Sequence, residues 1–217
     1  MVETFILPEN TEESGEEMPK VLIATLFSTE PVLIATHRLS PDRLFLLIDE
    51  KPTKEQEEGF KVIQDSIGKV IEVKKINVPK LDIVAVCKRC VQLIDDQPEK
   101  DTVYVNITAG RKTVALGLLY AAYCRSDKVK KIAYNPEEDK KAVVYLPKLS
   151  FKLSESQKKI LAYLEEKEFK NLTEFGGKIG LSTAMLYRSL NELKDMDLVE
   201  LTDDGYKLTD AGKIARM

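Results

Sequence analysis

From Val21 onward the chain alternates short β-rich runs with stretches of helical period, and that alternation is what most restricts its fold. Val21 to Phe27, Arg43 to Asp49, Val70 to Val78 and Thr102 to Thr108 read as strands. Segments near 31–38, 54–67 and 81–96, and one after Gly110, carry apolar residues every three to four positions and read as helices. Strand, helix and strand in succession need crossover connections, which are right-handed, and give parallel strands in a sheet covered on both faces. Lys131 to Tyr134 and Ala142 to Leu146, separated by Asn135, Pro136 and acidic residues, predict a closing hairpin. The first domain is expected to end near Pro147.

Beyond it the period is helical. Ser154 with Gln157 three residues on has the spacing of a capping box, before Ile160, Leu161 and Leu164 on one face. A second helix, Leu172 to Ile179, begins at Thr173, and Ser182 caps a third with Met185, Leu186, Leu190 and Leu193 as its apolar positions. Leu198 to Leu201, Asp203-Asp204-Gly205 and Tyr206 to Leu208 predict a hairpin, with a last helix from Asp210. Three helices and a two-stranded wing make a winged helix-turn-helix. The expected class is therefore α/β, a Rossmann-like, mostly parallel sheet over 20–149 followed by a winged helix-turn-helix over 150–217. Residues 1–19, where Glu9, Glu12, Glu13, Glu16 and Glu17 crowd between Pro8 and Pro19, predict an acidic, mobile segment.

Composition narrows the function. No apolar run approaches the ~20 residues of a membrane span, and Met1 to Leu7 lack the basic flank of a secretory signal, so a cytoplasmic protein without a membrane partner is expected. With 33 basic against 36 acidic side chains, nucleic-acid contact has to come from a local patch. Three cysteines and one histidine leave little for metal or nucleophile chemistry, and no cofactor, metal ligand or catalytic residue is assigned.

In an open parallel sheet, ligands bind beyond the carboxyl ends of strands where the chain order reverses, which in the Rossmann order falls between the first and fourth strands. After the first strand comes Phe27-Ser28-Thr29-Glu30-Pro31, in which Ser28 or Thr29 can cap the helix and Pro31 fits its first turn. After the fourth comes Asn106-Ile107-Thr108-Ala109-Gly110-Arg111-Lys112-Thr113, leading into an apolar helix. A helix N-terminus, a glycine, hydroxyl and amide donors and two cations suit a phosphate or nucleotide edge. This is not a Walker A loop, because Asn106 and Arg111 stand where glycines are required, and the first turn lacks the glycines of a dinucleotide fingerprint. The plainer alternative is that Asn106 and Thr108 are only cap and turn residues and the Arg-Lys pair a solvated helix start.

The strand-Asn-x-Thr-x-Gly-Arg-Lys-helix element, the Thr25-Leu26-Phe27-Ser28-Thr29-Glu30 turn and the C-terminal winged helix together resemble the transcriptional regulators of the CRISPR-associated Rossmann fold (CARF) family. The resemblance runs over nearly the whole chain from about Lys20. It implies a homodimer that binds a cyclic oligoadenylate, commonly cyclic tetra-adenylate, in a pocket lined by Phe27, Ser28, Thr29 and Glu30 and by Asn106, Thr108, Gly110, Arg111 and Lys112, and that binds double-stranded DNA through its winged helices. A ring with repeated phosphates is matched by two copies of one basic loop about a two-fold axis. Slow cleavage of the bound ring, and a winged helix that docks on protein, are the alternatives.

From Phe151 onward there are eleven basic and twelve acidic residues, so DNA contact depends on one face. The third helix offers Ser182, Thr183, Tyr187, Arg188 and Asn191 opposite its leucines; Arg188 is the candidate base reader and Lys207 in the wing a phosphate contact. Cys87-Lys88-Arg89-Cys90 shares a helical stripe with Ile83, Val84, Val91 and Ile94 and is expected in the core. His37 is expected at a surface or interface, and no Arg precedes it as a helical ribonuclease motif would need. Asp42 with Glu72-x-Lys74 matches a nuclease pattern that arises readily by chance in so charged a chain.

Overall fold

A computed structural model describes residues 18–139, 142–166 and 172–217. The expected mobility of the acidic head therefore concerns residues that, up to 17, lie outside the described ones, and so does the side chain of Thr173. The first part of the chain runs β1 (Lys20–Thr25), α1 (Glu30–Leu39), β2 (Arg43–Asp49), α2 (Lys54–Ile67), β3 (Glu72–Val78), α3 (Ile83–Asp95), β4 (Thr102–Asn106), α4 (Lys112–Cys124), β5 (Val129–Tyr134) and β6 (Val144–Leu146). The sheet order is β3-β2-β1-β4-β5-β6. Its first five strands are parallel, and β6 closes antiparallel on β5 with Ala133 opposite Tyr145. The expected reversal of chain order therefore falls between β1 and β4.

Both faces of the sheet are covered, and the period of two along its central strands shows how. Leu22 and Ala24 of β1 with Leu44, Leu46 and Ile48 of β2 pack against Val32, Ala35 and Ile63 of α1 and α2. Their neighbours Val21, Ile23, Phe45 and Leu47 face α3 and α4 through Val86, Cys90, Val91 and Leu118. Cys87 and Cys90 are fully buried there, as expected of small apolar side chains. Burial pushes the Cys90 thiol up to about 12, and a hydrogen bond to Cys124 together with burial raises Cys87, so neither is a ready nucleophile.

Four strands are shorter than the sequence predicts, and β6 is one of them, beginning at Val144 instead of Ala142. β1 stops at Thr25, two residues before Phe27. β4 stops at Asn106 instead of Thr108, because the Asn106 side chain takes the Thr108 N–H and turns the chain. β3 begins at Glu72 instead of Val70, because Val70 and Ile71 still donate to the Ile67 carbonyl at the end of α2.

The second part consists of α5 (Glu155–Glu166), α6 (Leu172–Ile179), α7 (Thr183–Asp195), the antiparallel pair β7 (Val199–Thr202) and β8 (Gly205–Leu208), and α8 (Asp210–Ala215). The Ser154 N–H donates to Gln157 Oε1 at 2.8 Å and the Gln157 N–H to Ser154 Oγ at 3.3 Å, which completes the predicted capping box. Ile160, Leu161, Leu164, Phe175, Leu186, Leu190 and Leu193 form the core. Met185 does not join it, contrary to expectation. One residue before the stripe set by Leu186, Leu190 and Leu193, it is rotated about 100° away from it, and it is 51% exposed.

The two parts meet at α8. Ile214 and Met217 belong to the cluster built on α3 and α4. Cys124 Sγ donates to the Ile214 carbonyl at 3.3 Å, and the Arg125 guanidinium donates to the Met217 carbonyl while gripping Asp95 at 2.7 and 2.8 Å. These Arg125 bonds hold the Asp95 carboxyl below its usual range. No helix among the described residues is long and apolar enough to cross a membrane.

Candidate functional site

The turn after β4 is built by hydrogen bonds between residues far apart in sequence. Asn106 is buried; its Oδ1 accepts the Thr108 N–H at 2.9 Å, and its Nδ2 donates to Asn135 Oδ1 at 3.2 Å. Thr108 Oγ1 donates to the same Asn135 oxygen at 3.1 Å and accepts the Asn135 N–H at 2.8 Å. Asn135 Nδ2 in turn donates to the Ala142 carbonyl at 2.9 Å. Asn106 and Thr108 thus shape the loop.

Gly110 brings that loop against β1. Its φ of +89° is a conformation that L side chains rarely adopt, and a Cβ there would lie 2.9 Å from the Thr25 Cβ. Thr25 Oγ1 also donates to the Ala109 carbonyl. The two turns on either side of the switch point are therefore locked together at Thr25.

From this anchor the chain enters α4. Arg111 sits at its N-cap with extended backbone (φ −71°, ψ 146°) and no capping bond from its side chain. The N–H groups of Lys112, Thr113 and Val114 lead the helix, so the positive end of its dipole opens at the crevice. Lys112 is exposed and makes no ion pair among the described residues. Arg111 reaches across to the end of β2, where its Nε donates to Asp49 Oδ2 at 2.7 Å. Asp49 was not singled out from the sequence. Its signal was available: an acid at the end of the second strand, roughly 20 residues past the first turn, is where Rossmann sheets place a ribose-binding carboxylate.

The first turn carries the other predicted group. Phe27, Ser28 and Glu30 are exposed and Thr29 is partly covered. Thr29 occupies the N-cap of α1 but makes no capping bond, because its backbone is already helical (φ −78°, ψ −32°) and the hydroxyl does not come round to the following N–H groups. Pro31 takes the first turn of α1 as expected. Gln56, also missed from the sequence, is buried at the start of α2 and braces this turn by donating from Nε2 to the Leu26 carbonyl at 3.2 Å.

The structure thus brings Phe27–Glu30 and Gly110–Lys112 to the switch point. It sets Ser182, Thr183, Tyr187, Arg188, Asn191 and Lys207 apart from them, in the second part of the chain. Thr183, Tyr187, Arg188 and Asn191 are exposed on α7. Ser182 Oγ accepts the Met185 N–H at 3.3 Å as the cap, Arg188 Nε donates to Glu192 Oε1 at 3.0 Å, and Lys207 pairs with Glu200 at 3.3 Å. His37 is exposed on the last turn of α1. In the nuclease-like pattern, Glu72 pairs with Lys74 at 2.6 Å on edge strand β3, and its N–H donates to the Asp42 carbonyl at 3.1 Å, while the Asp42 carboxylate accepts the Lys20 N–H at 2.7 Å. No group of three His, Cys, Asp or Glu among the described residues could hold a metal ion.

A doubly wound sheet whose switch point carries a glycine turn, a helix N-terminus and an Arg-Lys pair defines a Rossmann-like domain. Residues 21–139 match the family described as HFX_2341_N:-like, N-terminal, and the chain belongs to that family. Among solved structures it is similar to Can2 from Sulfobacillus thermosulfidooxidans in complex with cyclic tetra-adenylate, at 16% identity over 90% of this chain and 62% of that one, with a TM-score of 0.48. Protein VC1899 from Vibrio cholerae matches at 14% identity over 91% and 64%, also with a TM-score of 0.48. Enterococcus italicus Csm6 bound to cyclic hexa-2'-fluoro-hexa-dAMP matches at 14% identity over 83% and 55%, again at 0.48. The chain spans less than two thirds of the length of each of these three. No curated protein matches it in sequence.

Proposed function

We propose that this chain is a homodimeric CRISPR-associated regulator that senses cyclic oligoadenylate, with cyclic tetra-adenylate the expected ring, at the switch point between β1 and β4, and binds double-stranded DNA through a winged helix-turn-helix formed by α5 to α8. One observation carries the sensing half of the reading. The turn held by Asn106, Thr108 and Asn135 and seated on Thr25 at Gly110 presents Arg111, Lys112 and a helix N-terminus together at the ligand position of a doubly wound sheet. Polyphosphate is the ligand class that uses all three.

The dimer is supported by α4, which is apolar almost all round. One side of it is in the core, yet Leu116 is 44% exposed, and Leu119, Tyr120 and Tyr123 are only partly covered. A two-fold axis along that side sets two Arg111-Lys112 turns about one ring. Native mass spectrometry with a panel of cyclic oligoadenylates of different ring size tests the reading. Two chains carrying one intact ring are expected; binding of linear oligoadenylate alone, or of no ring, overturns it.

The DNA half is supported by α7, whose exposed Thr183, Tyr187, Arg188 and Asn191 lie opposite buried Leu186, Leu190 and Leu193. Arg188 is 83% exposed, so its pairing with Glu192 is readily exchanged for a base edge or a phosphate. In a mobility shift on DNA from the CRISPR locus, Arg188→Ala is expected to weaken binding by about tenfold, a loss of ~1.4 kcal/mol within the range of a base contact. Equal shifts for the two proteins would remove Arg188 from the interface, and no shift for either would favour the protein-docking alternative.

A further inference from the structure

We infer that Asp49 is a positioning residue for ligand recognition, which holds the Arg111 guanidinium in the orientation that reads the ring; the inference rests on the sensing half of the reading above. Asp49 is the last residue of β2, beside the crevice, and its side chain is 1% exposed. A carboxylate so deeply placed needs a partner, and among the described residues the one it has is Arg111. Its other oxygen, Oδ1, is buried and accepts no hydrogen bond from the described residues. The acid is fixed from behind as well, since its carbonyl accepts Asn77 Nδ2 at 3.2 Å and β2 is paired along its length with β3.

Arg111 is placed differently. Its side chain is 39% exposed, and among the described residues it is engaged through Nε, which leaves the two Nη groups of the planar fork with four further N–H donors. Because the pair is neutral as a whole, Arg111 adds little net attraction for a polyanion. That attraction comes from Lys112 and the α4 N-terminus, and Arg111 contributes direction. The two roles respond with opposite sign to loss of the acid. If Arg111 acted only as a charge, Asp49→Asn would free that charge and tighten ring binding. If Arg111 is aimed by Asp49, the same substitution lets the guanidinium swing and weakens binding.

The test measures affinity of the full chain for cyclic tetra-adenylate by calorimetry, for wild type, Asp49→Asn, Arg111→Ala and the double variant. The expected results are a loss of about tenfold for Asp49→Asn, a larger loss for Arg111→Ala, and no further loss in the double variant, because the acid has nothing left to position. Arg111→Lys, in which Asp49 is intact, keeps the charge without the fork and is expected to bind as poorly as Arg111→Ala; it serves if Asp49→Asn does not fold. Unchanged or tighter binding by Asp49→Asn, additive losses in the double variant, or wild-type affinity in Arg111→Lys each overturns the inference while the sensing reading stands. Absence of ring binding by the wild type overturns the sensing reading itself, and the inference with it.

Discussion

Replacing Arg111 and Lys112 together with alanine is expected to abolish ring binding while leaving a folded protein. Each side chain offers charge-assisted hydrogen bonds to phosphate worth about 1.5–3 kcal/mol, and a two-fold axis doubles every contact. With ~1.4 kcal/mol per tenfold in affinity, the loss is at least about 100-fold. The fold survives because the turn is held by Asn106, Thr108 and Asn135 and by Thr25, none of which is altered. Truncating Arg111 strips Asp49 of its partner, but the departing side chain is itself half-exposed and opens a path for water to the carboxylate. Calorimetry with cyclic tetra-adenylate, accompanied by circular dichroism, reads both outcomes. Retained affinity would show that the crevice between β1 and β4 is not where the ring binds.

The largest effect on stability is expected from Gly212→Ala. Gly212 lies in α8, where its N–H donates to the capping Thr209 Oγ1 at 3.0 Å, and a Cβ would overlap the Leu198 carbonyl oxygen. Neither side can yield. The Leu198 N–H is bonded to the Leu193 carbonyl, its own carbonyl accepts the Thr209 N–H, and its side chain is in the core. The overlap is with backbone, so α8 has to leave its seat, losing the packing of Ile214 and the bonds from Cys124 and Arg125. A loss of about 3 kcal/mol is expected, at the upper end of overpacking costs. Gly177→Ala in α6 is the matched control. Nothing lies within 4 Å of a Cβ at that position, so the better helix propensity of alanine should raise stability by about 0.5–1 kcal/mol. Chemical denaturation of the two variants should show shifts of opposite sign, and a Gly212→Ala midpoint equal to the wild type would mean that α8 does not pack as described.

What the sequence revealed of this fold followed from local rules. Strands buried on both faces write themselves as unbroken apolar runs, as at Leu44 to Ile48, and the Ser154-Gln157 box and the Ser182 cap are signals contained within four residues. Right-handed crossovers gave the parallel sheet, and the Rossmann strand order gave the position of the crevice. What stayed hidden depends on residues distant in sequence. Arg111 meets Asp49 across 62 positions, and Asn106 meets Asn135 across 29. No periodicity encodes either pairing. The roles of individual loop residues were accordingly blurred: Asn106 and Thr108 suit a ligand as well as a turn until their partners are seen, and Thr29 has the composition of a cap without its backbone angles. Met185 shows the limit of periodicity itself, since a step of one residue on a helix carries a side chain from the core to solvent.

The seat of α8 also bears on mechanics. α4 is one unbroken helix of 13 residues, about 20 Å from end to end. Gly110 and Arg111 lie just ahead of its first residue, and the grip of Cys124 and Arg125 on Ile214 and Met217 lies at its tail. A helix of that length is stiff along its axis, so the leading turn and the seat of α8 are fixed at opposite ends of one rigid element. The two halves of the molecule thus share a common shaft, on whose tail the C-terminal residues Ile214 and Met217 are seated.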